Sequence, residues 1–535
     1  MTVRFEAPDQ ASDRLASILF VLTAVLVVAY TLCAGIVGPS MYADQGTGFL
    51  ALDAWRRGGP FNEIAVADPA DIARDQPFFV AWWSPGQYMV PGLFEWLGLP
   101  RGLAITAVLL VSAVLNLVGL FVLYRRWGFP RISIAITLLV LAGTRLFSHQ
   151  FAIYGGGEVL LAAATPWFIL LVMRLRDFTP LGAVVLFFAI AFMTFLKLSG
   201  LVLSLAIVGT FVFLDLLSDR PGKIRRMVMA VLPFLVFAVV FQLLWASRGE
   251  TPTTAAANVL APGRLLTHAI PAFVAPFTSI VSAGDFAAAV LSRPGYVLID
   301  NIIPFYFAAA VPVAILAWAA ARTLAQTYPD YLRFAAVLTL VFSGGMVLIY
   351  IKGGEVSLED RQFRQVGFVL AIGMVHAILQ WRRPIRVAAM AGAAVLVAYG
   401  LASFAVKTRT NIASAQGNGG IRHMVLSPTA LAFIRSDLDK PRPGNSLLVV
   451  QSAEIGLELP GQRVLEIPLA FRTAEELARR YVHRGKVDHL GVLVETRLVD
   501  SGQAAILLAG FKDYPMDRWK KTQLGTFTYY SQDRP

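Results

Sequence analysis

Eleven apolar runs, each long enough to cross a bilayer, leave this chain few ways to fold. A spanning helix needs roughly 17 to 25 mostly apolar residues, and such runs fall at 15–37, 102–124, 131–148, 158–175, 180–198, 200–217, 227–246, 298–321, 333–351, 366–381 and 386–406. Hydrophobic residues are 57% of the 535 and charged residues 15%, with a mean hydropathy of +0.64. That is more apolar surface than a soluble fold could bury. The expected fold class is therefore a polytopic α-helical membrane protein with about eleven transmembrane helices. The segment before the first run, MTVRFEAPDQASDR, is polar for too long to be a signal peptide, so that run is expected to stay as an anchor.

The net charge of +12 does not point to nucleic acid, because the basic residues sit in short turns between apolar runs. Arg125 and Arg126, Arg174 and Arg176, then Arg220, Lys223, Arg225 and Arg226, then Arg322, and finally Arg382, Arg383 and Arg386 all fall on one side if eleven spans are correct. The positive-inside rule makes that side the cytoplasm, with the N-terminus beside it. The other side receives 41–101, the loop His149–Gly157, the stretch 247–297, the segment KGGEVSLEDRQFRQ and everything after Lys407. Extracytoplasmic chemistry follows as the expectation. The one cysteine, Cys33, lies inside the first run and excludes an intramolecular disulfide.

After Lys407 the composition becomes soluble. LLVVQS (447–452), RVLEIP (463–468) and HLGVLVET (489–496) read as strands, alternating with EELARRYVHR and QAAILLAG as helices and closing on TFTYYS (526–531). Such alternation predicts a small α/β domain over 407–535, outside a transmembrane domain over 1–406. It carries no phosphate-binding glycine pattern, paired metal ligands or nucleophile elbow, and reads as a cap.

Between the first two spans runs a polar segment that opens MYADQGTGFLALDAWRRGGPFN and closes WWSPGQYMVPGLFEWLG. Asp44 lies a few residues past the first span, at the water-facing rim, where a carboxylate must be solvated, paired or used. Asp44 after the first span, the helical stretch ALDAWRRGG and the run SPGQY before the second span resemble the GT-C class of membrane glycosyltransferases, more narrowly the bacterial branch of protein O-mannosyltransferases and aminoarabinose transferases. The resemblance implies a sugar moved from a polyprenyl-phosphate carrier to an acceptor outside the cytoplasmic membrane, usually with inversion. In that family the first outer loop commonly carries an Asp-Glu pair. Here the second member is Gln45, which argues against a metal at this pair; no cofactor is implied, and a divalent metal is left open.

A lipid-phosphate sugar already carries its leaving group, so the site must add a base for the acceptor hydroxyl and positive charge around the departing phosphate. Asp44 suits the first role; the alternative is a rim carboxylate paired with Arg56 or Arg57, or one capping the next helix. Asp53, nine residues on, lies roughly 180° around a continuous helix and does not share that site. For the phosphate, LEDRQFRQ places Arg361 and Arg364 three apart, on one face of a helix start, where two guanidiniums can grip a phosphate. Glu359 and Asp360 would orient these arginines or offset their charge. Lys197 in FMTFLKLSGL is a third candidate, with snorkelling to the interface as its alternative. In SHQFAIYGGGEVL, Glu158 would orient the acceptor or the catalytic side chain, or cap the fourth span, and three glycines let backbone approach a ligand. His149 is a weaker candidate in the same loop.

The stretch 247–297 has the composition of a mobile cover, broken by Pro262, Pro271 and Pro276, or of a static interfacial hairpin. The expected partners are a polyprenyl-phosphate sugar donor, a glycan, lipid or protein acceptor and membrane lipids. Two other readings stay open: a lipid-linked-sugar flippase or other transporter, which should place its ionisable residues at mid-membrane, and a polymerase or ligase using a diphosphate-linked glycan.

Overall fold

The computed structural model describes residues 10–81, 83–219, 221–249, 262–291, 298–351, 359–424, 426–438, 445–460, 462–467 and 473–535. Two compact units result, one of Met1–Cys33, Val108–Phe151 and Gly157–Val406, the other of Ala34–Ala107, Ala152–Gly156 and Lys407–Pro535. The second unit thus takes in the first polar segment together with the residues after Lys407.

The first unit is helical. Among the described residues of the whole chain, nine helices are long and apolar enough to cross a membrane, and two bent helix pairs raise the number to as many as eleven. Helices apolar all round suit burial on one side and lipid on the other. The core is accordingly aromatic and aliphatic, with Tyr124, Phe129, Phe211, Tyr331 and Phe334 buried together. The run at 180–198 is the apolar helix Pro180–Leu196, of 17 residues. Within 247–297, residues 262–291 supply Leu266–Thr278 and Ala283–Leu291, a pair bent by 114°. Ala272, Ala275 and Ile280 of this stretch belong to the core of the unit; residues 250–261 and 292–297 lie outside the described ones.

The other bent pair, Arg131–Gly143 with Arg145–Phe151, turns by 64°, and its break is tied to that of the first. The Leu146 N–H donates to Ser282 Oγ at 3.0 Å, and Arg145 pairs with Asp285 at 2.8 Å. Polar groups freed where a helix breaks in an apolar setting must find partners inside the protein. Asp360 serves the same purpose. Its buried carboxylate accepts from Thr278 Oγ1 at 2.6 Å, the Gly284 N–H at 2.8 Å and the Tyr306 hydroxyl at 2.9 Å. Asp360→Ala would orphan three buried donors at about 1–3 kcal/mol each. A clear drop in melting temperature in detergent is the expected outcome, and an unchanged melting curve would remove Asp360 from the anchor.

The second unit holds a five-stranded sheet in the order Arg463–Glu466, Ser446–Val450, His489–Glu495, Phe527–Asp533, Lys520–Leu524. The first three strands are parallel and the last two antiparallel. Side chains alternate between two buried faces, as a period of two requires. Leu447, Val449, Leu490, Val492 and Val494 meet Leu507 and Phe511 on one face; Leu448, Val450, Leu493 and Tyr529 meet Leu431 and Ile434 on the other. Burial on both sides explains why LLVV and LGVLV read as continuous apolar runs. The closing strand runs inside the sheet, and Lys520–Leu524 takes the edge.

The acidic stretch after Gly59 is a hairpin of Glu63–Asp68 and Asp71–Phe79. Asp68 Oδ1 caps its turn by accepting from the Ala70 N–H at 2.8 Å. Ala67 and Ile72 enter the same core as Leu447 and Val492. The Ile72 N–H donates to the Arg484 carbonyl at 2.8 Å, and Arg463 donates to Asp75 at 2.8 Å. The first outer loop and the C-terminal sheet are therefore one folded body.

Candidate functional site

The residues singled out from sequence are divided between the two units. In the first unit, Glu158 lies in the first turn of Gly157–Arg174. Lys197 follows the end of Pro180–Leu196 with extended backbone, and Arg361 lies in the first turn of Asp360–Gln380. Helix ends bring the three together: Lys197 Nζ is 2.7 Å and Arg361 Nη1 3.7 Å from Glu158 Oε1. Lys197 also donates to Gln362 Oε1 at 3.3 Å, and Arg361 Nε is 2.6 Å from Glu359. Glu158 is thus the shared counter-charge of two cations, and Glu359 fixes one of them. Arg361 keeps 40% of its side chain exposed.

Arg364 is placed differently from Arg361. It is buried between Phe368 and Phe147, with its guanidinium carbon 5.0 and 5.8 Å from the ring centroids, and donates to Gln150 Oε1 at 3.2 Å. The charge of Glu158 still reaches it. His149 opens the short turn His149–Phe151 and is half-buried.

In the second unit, Asp44 occupies the first turn of Ala43–Arg56, where the positive end of the helix dipole favours an acid. Pairing with Arg56 or Arg57 is excluded by helix geometry, since residues twelve or more apart lie roughly 18 Å apart along the axis. Arg56 instead pairs with Glu95 and donates to the Gly92 carbonyl at 2.9 Å; Arg57 is exposed at the C-cap. Asp53 is held by Arg101 at 2.7 Å, apart from Asp44 as its helical phase implies.

Gly46 decides what surrounds Asp44. A Cβ there would stand 2.5 Å from the Glu454 backbone nitrogen, so only glycine lets this helix approach Ala453–Glu458 so closely. Two further carboxyls come with that contact, and neither was singled out from sequence. Thr47 Oγ1 donates to Glu466 Oε2 at 3.3 Å, and the Ser452 hydroxyl donates to buried Glu454. Burial pushes Glu466 up to about 7, the charge of Asp44 adding to the rise. Burial, aided by the charge of Glu466, pushes Glu454 up to about 8. Their sequence signal was an acid set in an otherwise apolar run, in AEIGLELP and RVLEIP. Among the described residues no group of three or more His, Cys, Asp or Glu side chains could hold a metal ion.

These raised carboxyls predict a pH dependence. Both stay protonated in the folded chain well above the ordinary 4.5, so their contribution to stability is full below about pH 4.5 and is lost as pH rises through about 7 to 8. His483 has the opposite sign: burial lowers it to about 4, so its contribution is lost only as pH falls below 6.5. A fall in melting temperature from pH 6.5 to 9 is therefore expected, and Glu454→Gln should make it shallower. An equally steep fall in that variant would show that the carboxyls titrate normally.

No protein-family model matches the chain, and no curated protein sequence matches it. Solved structures do. ArnT from Cupriavidus metallidurans bound to undecaprenyl phosphate aligns at 14% identity with a TM-score of 0.51, over 96% of this chain and 97% of that one. The apo state of the same protein aligns at 14% identity with a TM-score of 0.50, over 96% and 98%. At this identity the likeness concerns the fold, and over nearly its whole length the chain is a multi-pass membrane protein with the ArnT-like, GT-C type of fold.

Proposed function

We propose that this chain is a glycosyltransferase that moves a sugar from a polyprenyl-phosphate donor to an acceptor hydroxyl on the extracytoplasmic side of a bacterial inner membrane. The observation that carries the reading is the joining of Lys197 and Arg361 through Glu158 at helix ends of a fold whose solved relative holds undecaprenyl phosphate. A pair of cations braced by one carboxylate suits an anionic head group, because charge-assisted hydrogen bonds to phosphate oxygens are the strong ones. Arg364, buried beside them, adds to the positive field.

In this reading Asp44 takes the proton of the acceptor hydroxyl. The acceptor oxygen attacks the anomeric carbon as its bond to the phosphate oxygen breaks, so the configuration inverts and polyprenyl phosphate leaves with the electron pair. No covalent enzyme intermediate forms. The positive-inside count supports an N-terminus in the cytoplasm and the second unit outside.

The test uses purified full-length protein in liposomes, with undecaprenyl-phosphate sugars as donors and a fraction of envelope glycans and lipids as acceptors. Transfer of labelled sugar with release of undecaprenyl phosphate is the expected result. Donor carried across the bilayer without transfer would replace the reading with that of a transporter. Labelling of single cysteines in a Cys33→Ala background should find positions in 41–101 and 473–535 accessible from outside and position 225 from inside; the reverse would overturn the orientation.

A further inference from the structure

Gln45 stands where the resembled family commonly has a second acid, and the structure gives it a partner of its own kind. Gln45 Nε2 donates to Gln87 Oε1 at 3.4 Å, and both side chains are buried, at 5% and 4% exposure. Whichever way the two amides are turned, one bond between them leaves one carbonyl oxygen and one NH2 group over. Among the described residues Gln45 Oε1 and Gln87 Nε2 have no hydrogen-bond partner. Buried polar groups are paired in about nine cases of ten or more, so two orphans on one amide pair mark a place that something else completes.

The surroundings of the pair are fixed. Tyr154 donates its hydroxyl to the Gln87 backbone carbonyl at 2.6 Å. Gly156, at φ +60°, lies against both amides, where a Cβ would come within 2.6 Å of Gln45 Nε2, while a Cβ on neighbouring Gly155 would meet nothing within 4 Å. The free acceptor and free donor sit on the residue next to Asp44 and on its partner.

We propose that Gln45 and Gln87 form a sugar subsite that reads hydroxyl groups of an uncharged ring on the lipid-linked donor. A hydroxyl both donates and accepts, so two neighbouring ring hydroxyls match one carbonyl oxygen and one NH2. An acid at position 45 would favour a metal ion or an ammonium group; an amide favours neither. A site built to hydrogen-bond a substrate hydroxyl also rejects ligands that lack one, because its own polar groups then stay unpaired. This subsite rests on the donor reading above.

The test compares the affinity of full-length protein for undecaprenyl phosphate with its affinity for undecaprenyl phosphates bearing glucose, mannose or galactose. At least one of these sugars should tighten binding about tenfold in the wild type. In Gln45→Met and in Gln87→Met the ratio should fall to about one, and it should return in part in Gln87→Asn, which keeps both amide functions. A ratio unchanged in both Met variants, with only melting temperature lowered, would reduce the amides to supports for Gly156 and overturn the subsite. A wild type that binds the bare lipid but none of the sugars more tightly would also overturn it. A wild type that does not bind the bare lipid would instead strike down the donor reading, and the subsite with it.

Discussion

Asp44→Asn should lower sugar transfer by roughly 100-fold to 10,000-fold, the usual range for removal of a positioned base. The substitution keeps the size of the side chain and most of its hydrogen bonding, and a helix N-terminus accepts Asn as readily as Asp. Donor binding and melting temperature should therefore change little. The local charge balance sharpens the expectation: the charge of Asp44 helps to hold Glu466 up near 7, so the Asn variant should also let Glu466 lose its proton at lower pH. A folded, donor-binding Asn variant with near-normal transfer would take Asp44 out of the mechanism. A loss confined to about 1 kcal/mol of stability would leave it a helix-end residue.

Arg361→Ala should weaken binding of undecaprenyl phosphate by about 10- to 100-fold, the equivalent of about 1.5–3 kcal/mol for a hydrogen bond to a charged group. Arg361→Lys should recover only part of this, since it restores a charge without the planar pair of donors. Lys197→Met should act in the same direction, because Lys197 and Arg361 share Glu158. Arg364→Ala is expected to behave differently. Its guanidinium fills a buried place between Phe147 and Phe368, so the variant should lose stability as well as affinity. Undiminished lipid binding in Arg361→Ala and Lys197→Met together would make both residues ordinary interfacial anchors.

How the residues before and after the membrane runs combine was settled only by the folded chain. Apolar run length is a local property, so the helical membrane class and most of the spans were legible in the sequence, while the GT-C type of fold was implied by the resemblance that Asp44, ALDAWRRGG and SPGQY carry. The same holds for the strands of the C-terminal sheet, whose core side chains alternate within each segment. Three prolines break the run over 262–291, and whether a broken helix is buried depends on partners far away in sequence, such as Asp360 for the 278–284 break. Arg361 and Arg364 were placed on one face by spacing, yet one is ion-paired and half-exposed and the other lies buried between two rings. Their difference comes from Glu158, Lys197, Phe147 and Phe368, none of which the spacing of LEDRQFRQ can report.

The acids and amides around Asp44 show the same division. The sequence by itself determined that a carboxylate would stand in the first turn of a helix just beyond a membrane span, because helix phase and apolar length are set by neighbours in the chain. Only the tertiary structure decided that Gly46 would bring Glu454 and Glu466 to it, and that Gln45 would meet Gln87. Those pairings join residues 42 to 419 positions apart, and contacts of that range follow from how whole elements pack, which no local pattern of residues encodes.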